Sequence, residues 1–82
     1  YCDICNELAI CLMELDRFEE SRQWLFSALE QEPENIKIIS NLGTLALKEG
    51  NTDEAKAYFR TVLDMYPDDM LAVEILKKLE TE

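Results

Sequence analysis

Residues 36–69 read IKIISNLGTLALKEGNTDEAKAYFRTVLDMYPDD, and Pro67 near their end lies 34 residues after Pro33, which follows a stretch built on the same plan. Before Gly50, Ile38, Leu42 and Leu45 form one apolar stripe at helical spacing, and Ile39, Gly43 and Ala46 form a second beside it. A helix with two such stripes has two packing neighbours. Gly50 closes it, as glycine does where the backbone turns left-handed. Asn51 and Glu54 then have capping-box spacing, an acceptor at the helix start and a carboxylate three residues on, which opens a helix running to Met65. No stretch alternates with the period of a strand.

The same plan extends in both directions. Upstream, Ile4, Leu8, Cys11 and Leu15 form one stripe and Cys5, Ala9 and Leu12 a second. Asp16 and Glu19 repeat the capping-box spacing, so a second helix is expected over residues 17–32, ended by Pro33. Small residues (Ala9, Ala28, Gly43, Ala55) stand where paired helices must approach closely, and Leu12, Leu25, Phe59 and Leu63 fill the space beside them. Downstream, a third copy begins in phase with Met70, Val73, Leu76 and Leu79 on one side. It places Lys77 where the earlier copies have Ala9 and Gly43. A lysine there forbids close approach of another helix, as expected of a terminal helix with a polar outer face. A fixed period of this length marks a helical repeat. The expected organisation is one domain over residues 1–82, with a first repeat at 2–35, a second at 36–69 and a capping helix at 70–82.

The repeat length and the order of residues within it resemble the tetratricopeptide repeat family. The second copy carries the pattern in Asn41, Leu42 and Gly43, then Gly50, Ala55, Phe59 and Pro67. The first carries it more loosely in Leu8, Ala9, Leu12, Ala28 and Pro33, and departs from it at Cys5, Asp16 and Ser21, where the family usually has a bulky aromatic, a turn glycine and an alanine. The resemblance covers essentially the whole chain. It implies an all-α fold, a right-handed solenoid of two helix-turn-helix repeats plus a C-terminal capping helix, that acts as a protein–protein interaction module.

Composition narrows the function. Eight Lys and Arg stand against 18 Asp and Glu, a net charge of −10. That balance argues against nucleic acid and anionic membrane as partners, both of which need a basic surface. No apolar run has the length of a membrane span and no signal-peptide pattern is present. Cys2, Cys5 and Cys11 are odd in number and lie in one helical stretch, unlike a secreted disulfide framework. These features fit a cytoplasmic, reducing setting. The chain opens on Tyr1 rather than Met, as a fragment of a longer protein or a processed product would.

Cys2-x-x-Cys5 gives half a zinc site, but there is no histidine and Cys11 alone could join it, where structural zinc takes four ligands. Cys5 and Cys11 are read instead as small apolar groups in the core stripes. The acidic runs Glu30, Glu32, Glu34 and Asp64, Asp68, Asp69 lack calcium-loop spacing. No metal or cofactor is therefore expected. With no histidine, no glycine-rich phosphate loop and no nucleophile beside a base, no catalytic residue is indicated and the chain is not read as an enzyme.

Two surfaces remain as candidates. The resemblance implies a concave groove lined by Asn6, Ile10 and Met13 from the first copy and Lys37, Ser40, Asn41, Thr44 and Lys48 from the second, with Leu71, Glu74 and Lys78 beside it. Its mixed amides and apolar side chains suit an extended or helical peptide. A known mode of the family holds a peptide's C-terminal carboxylate in a cluster of Lys, Arg and Asn. Asn41 alone has a counterpart in that cluster, and Asn6, Ile10, Leu71 and Ile75 occupy the other places, which argues against that mode here. The second surface is the stripe of Ile4, Leu8 and Cys11, on which no segment of the chain is expected to lie. Exposing Ile4 and Leu8 forgoes about 1.5–3 kcal/mol each, so this face is expected either to pack on upstream repeats or to pair with a second copy in a homodimer. Trp24 is read either as packing or as an exposed interface anchor. The function expected is a scaffold binding a protein or peptide partner. The alternative is an accessory or dimerisation domain of a larger enzyme, for instance a transferase.

Overall fold

The computed structural model describes residues 2–81, with side chains from residue 3 onward. The Cys2 side chain of the Cys2-x-x-Cys5 pair and Glu82 at the end of the expected capping helix lie outside the described residues. Five helices follow one another: α1 (Cys2–Glu14), α2 (Phe18–Gln31), α3 (Ile36–Lys48), α4 (Thr52–Met65) and α5 (Met70–Thr81). No strand occurs among the described residues. The fold is the all-α helical repeat that the periodicity predicts.

Local chemistry sets where each helix starts and stops. Gly50 has φ 79° and Asp16, one repeat length earlier, has φ 61°. The two turns share their hydrogen bonds as well. The Asn51 N–H donates to the Ala46 carbonyl at 2.8 Å, and the Arg17 N–H donates to the Leu12 carbonyl at 2.9 Å. Asp16 therefore closes α1 in the role of a turn glycine and does not cap α2, contrary to the capping-box expectation. A residue committed to the left-handed closure of one helix cannot also hold the extended backbone of an N-cap. Arg17 takes the N-cap position of α2 and its side chain makes no cap bond; it pairs with Glu20 instead.

The later caps are regular. Asn35 Oδ1 accepts from the Lys37 N–H at 3.0 Å. Asn51 Oδ1 accepts from the Glu54 N–H at 3.4 Å while its amide donates to the Glu54 carboxylate at 2.5 Å. Asp69 Oδ1 accepts from the Ala72 N–H at 3.0 Å and opens α5. Each bond satisfies a backbone donor that the helix itself leaves unpaired.

Packing runs along the chain: α1 lies on α2, α2 on α3, α3 on α4 and α4 on α5, with a lighter contact between α1 and α3. The core has two lobes, and α3 contributes to both. Ile38, Leu42 and Leu45 join Cys5, Ala9 and Met13 of α1 and Leu25 and Ala28 of α2. Ile39 and Ala46 join Ala55, Phe59 and Val62 of α4 and Ala72 and Leu76 of α5. Leu29 and Tyr58 pack against both lobes. The two stripes on α3 thus have the two neighbours that their spacing requires. Gly43 is where α3 and α4 come closest, since a Cβ there would lie 2.7 Å from the Phe59 ring. In the first pair the buried Ser21 takes the place of Ala55, and its hydroxyl donates to the Ala9 carbonyl at 2.8 Å.

Met70 is exposed, although the expected apolar side of α5 includes it, while Ala72 and Leu76 are buried. Met70 is the first residue of the helix.

Candidate functional site

A cleft of about 370 Å³ opens where α1, α3 and the start of α5 meet. Asn6 and Ile10 of α1 line one wall, Lys37, Ser40 and Asn41 of α3 the other, and Ile36, Asp69 and Leu71 close the far end. The 3.6-residue period puts Lys37, Ser40 and Asn41 on one face of α3, and the Asn35 cap fixes where that helix begins.

The two walls are joined by a side-chain bond, Asn41 Nδ2 donating to Asn6 Oδ1 at 2.6 Å. Each amide has both donor and acceptor capacity, so the pair keeps the Asn6 N–H groups and the Asn41 carbonyl oxygen for a ligand. A peptide backbone offers the complementary donor and acceptor. Ile10 and Leu71, 36% and 60% exposed, supply apolar surface on either side. Lys37 is exposed and makes no ion pair among the described residues.

Five of the expected groove residues, Asn6, Ile10, Lys37, Ser40 and Asn41, meet at this cleft, and Leu71 joins them. Three do not. Met13 is buried in the first lobe of the core, because the α1–α2 pair closes over its turn. Thr44 spends its hydroxyl on the Ser40 carbonyl at 3.0 Å, and Lys48 lies exposed at the last turn of α3. Ile36 and Asp69 were not indicated by the sequence. Ile36 opens α3 beside Lys37, and Asp69, just before α5, comes to the cleft because α5 packs on α4.

The second surface is the outer face of α1. Asp3, Ile4, Glu7, Leu8 and Cys11 line a shallow hollow of about 320 Å³. Ile4 is 64% and Leu8 40% exposed, and Leu15 continues the stripe at 67%. Cys11 is an exposed thiol and not the core residue expected, whereas Cys5 is buried. The difference follows from the stripe each belongs to: Cys5 faces α2, and Cys11 faces outward. Trp24 on α2 is 37% exposed.

Electrostatic perturbation lies away from the cleft. Arg22 of α2 bonds Glu49 at the end of α3 and also reaches Glu19. The bond to the Glu49 carboxylate raises the guanidinium pKa further. Burial, and then the nearby Glu54 charge, push the Tyr58 phenol up. Among the described residues no group of three His, Cys, Asp or Glu is placed to hold a metal ion. None of the described helices is long and apolar enough to cross a membrane.

Comparison with known proteins agrees with this architecture. Over 48 residues, 58% of its length, the chain is 38% identical to Protein O-mannosyl-transferase Tmtc3 of Drosophila melanogaster, and it spans 5% of that protein. A family model described as tetratricopeptide repeat matches residues 25–79. The match takes in α3, α4 and nearly all of α5 and the greater part of the chain, and the chain belongs to the tetratricopeptide repeat family.

Proposed function

We infer that this chain, like tetratricopeptide repeats generally, mediates protein–protein interaction. We propose that this module is non-catalytic and binds a partner peptide in the cleft between α1 and α3, the Asn6–Asn41 pair reading the peptide backbone and Ile10 and Leu71 receiving apolar side chains. The observation that carries this reading is the 2.6 Å bond between the two asparagines. It fixes amide groups from two helix pairs side by side, so that little ordering is left to be done on binding. The mixed lining suits an extended or helical segment with apolar side chains.

The test is selection of a displayed random peptide library on the protein, followed by titration of the selected peptides against Asn41→Glu and Lys37→Glu. Loss of one hydrogen-bonding partner at a part-buried contact weakens binding about tenfold or more. Selected peptides that bind both variants as well as the wild type would show that the cleft is not the site.

A second reading is favoured by the relative's name. A chain similar to 5% of an O-mannosyl-transferase fits an accessory repeat that positions or dimerises a catalytic region elsewhere in a longer polypeptide. On that reading the natural product is much larger than 82 residues and the cleft has no ligand of its own. An immunoblot of the natural protein, together with the library selection, separates the two.

A further inference from the structure

We propose that the cleft continues past its far end on to an apolar, acidic shelf, and that the partner peptide places an arginine there, just beyond the apolar residues that the cleft receives. This deepens the peptide-binding reading above and rests on it. Ile36 and Asp69, which close the far end of the cleft, also line a hollow of about 360 Å³ together with Met65, Tyr66, Pro67 and Asp68. Glu34 lines an adjoining hollow with the same Met65 and Tyr66. The turn between α2 and α3 and the turn between α4 and α5 therefore make one surface, continuous with the cleft.

Stacking of repeats leaves this edge in solvent. One repeat length before Met65 and Tyr66 the chain has Gln31 and Glu32. Both are exposed, although α3, α4 and α5 stack after them. A repeat stacked after α5 in the same geometry leaves Met65 and Tyr66 equally open, and α1 and α2 already stand on their other side. The occupant of the shelf therefore comes from outside the stack. At a place that solvent reaches, the polar pair of the first repeat has become a methionine and a tyrosine, 38% and 52% exposed.

Charge and shape select the arginine. Glu34, Asp68 and Asp69 bring three carboxylates to the shelf, and no Lys or Arg lines either hollow. None of the three makes an ion pair among the described residues. Lys37, the cation of the cleft lining, is absent from the lining of the shelf. A guanidinium can stack its plane on the Tyr66 ring while its edge donates to carboxylates, and its methylene stem covers apolar surface such as Met65. A lysine brings the charge without the stacking plane, and an acidic residue is repelled.

The test uses the peptides that the library selection returns. Sequencing of the selected pool should show arginine at a fixed distance from the apolar positions. The tightest such peptide is then titrated by fluorescence anisotropy beside a copy with citrulline for arginine, which keeps the shape and loses the charge. On the wild type the arginine peptide should bind at least about fivefold more tightly, with the gap narrowing at high salt. Glu34→Gln with Asp68→Asn, both at exposed positions, should close the gap. Tyr66→Leu, which removes the ring and keeps an apolar side chain, should narrow it. Asp69 is left intact because its carboxylate caps α5. Asn41→Glu, in the cleft, should weaken both peptides alike and leave their ratio unchanged. The proposal is overturned if the selected peptides lack arginine, if the citrulline copy binds as well, or if the shelf variants leave the gap intact; sensitivity to Asn41→Glu then still upholds the cleft. Selected peptides insensitive to Asn41→Glu, or no selected peptide, overturn both readings.

Discussion

Gly43 and Tyr58 show how much a single side chain decides in so small a fold. An alanine at position 43 would place its Cβ 2.7 Å from Phe59 Cε2 and 2.8 Å from Cζ. Phe59 is itself 1% exposed and has nowhere to move, so Gly43→Ala is expected to destabilise by about 1–3 kcal/mol, read by urea denaturation. Tyr58 sets an alkaline limit. Burial, with Glu54 beside it, holds its folded pKa above the ordinary value of 10.0. The unfolded chain therefore gives up this proton first. The stability that Tyr58 contributes is complete below about pH 10 and falls as pH rises through the folded value. Tyr58→Phe is expected to keep more of its neutral-pH stability above pH 10 than the wild type does; equal losses in the two proteins would place the alkaline limit elsewhere.

At the scale of the elements, the turns between paired helices were half legible in the sequence. Gly50 announces its turn, because glycine has no steric penalty at φ 79°. Asp16 hides the same turn behind a residue that also suits an N-cap, and its neighbours, read alone, place it at the start of α2. The resemblance, which sets Asp16 where the family usually has a turn glycine, agrees with the backbone, and the local capping pattern does not. Asp16 holds φ 61° at a steric cost that glycine escapes, and its side chain caps nothing in α2. Asp16→Gly is thus expected to stabilise the protein by up to about 1 kcal/mol. Thermal unfolding followed by circular dichroism measures it, and a destabilised variant would mean that the Asp16 carboxylate has a role the backbone does not show.

For the whole molecule, α3 is the shared element. Its Ile38, Leu42 and Leu45 belong to one lobe of the core and its Ile39 and Ala46 to the other. Damage on one stripe should therefore be felt by both helix pairs. Leu42→Ala, at a site 2% exposed, is expected to cost about 2–5 kcal/mol, a large part of the stability available to a chain of this size. Trp24 fluorescence reports the first pair and far-ultraviolet circular dichroism reports all five helices. Coincident transitions of the two signals are expected in the wild type, and separate ones would mean that the pairs unfold independently. The stack is thin and elongated, 33 × 24 × 15 Å, and its α1 end carries the exposed Ile4 and Leu8.

The sequence by itself determined the helices, their order and the repeat. These follow from a 34-residue period and from stripes at 3.6-residue spacing, which are properties of neighbours along the chain. The resemblance to the family, and not the periodicity, pointed to Asn6, Ile10, Lys37, Ser40 and Asn41, which line the cleft. The tertiary structure decided which stripe each helix buries. Cys5 and Cys11, equally apolar and on one helix, became buried and exposed because α2 covers only one side of α1. It moved Met13 from groove to core, and it added Ile36 and Asp69 to the cleft. Periodicity fixes which residues share a face; only the packing of helices distant in sequence fixes what that face meets.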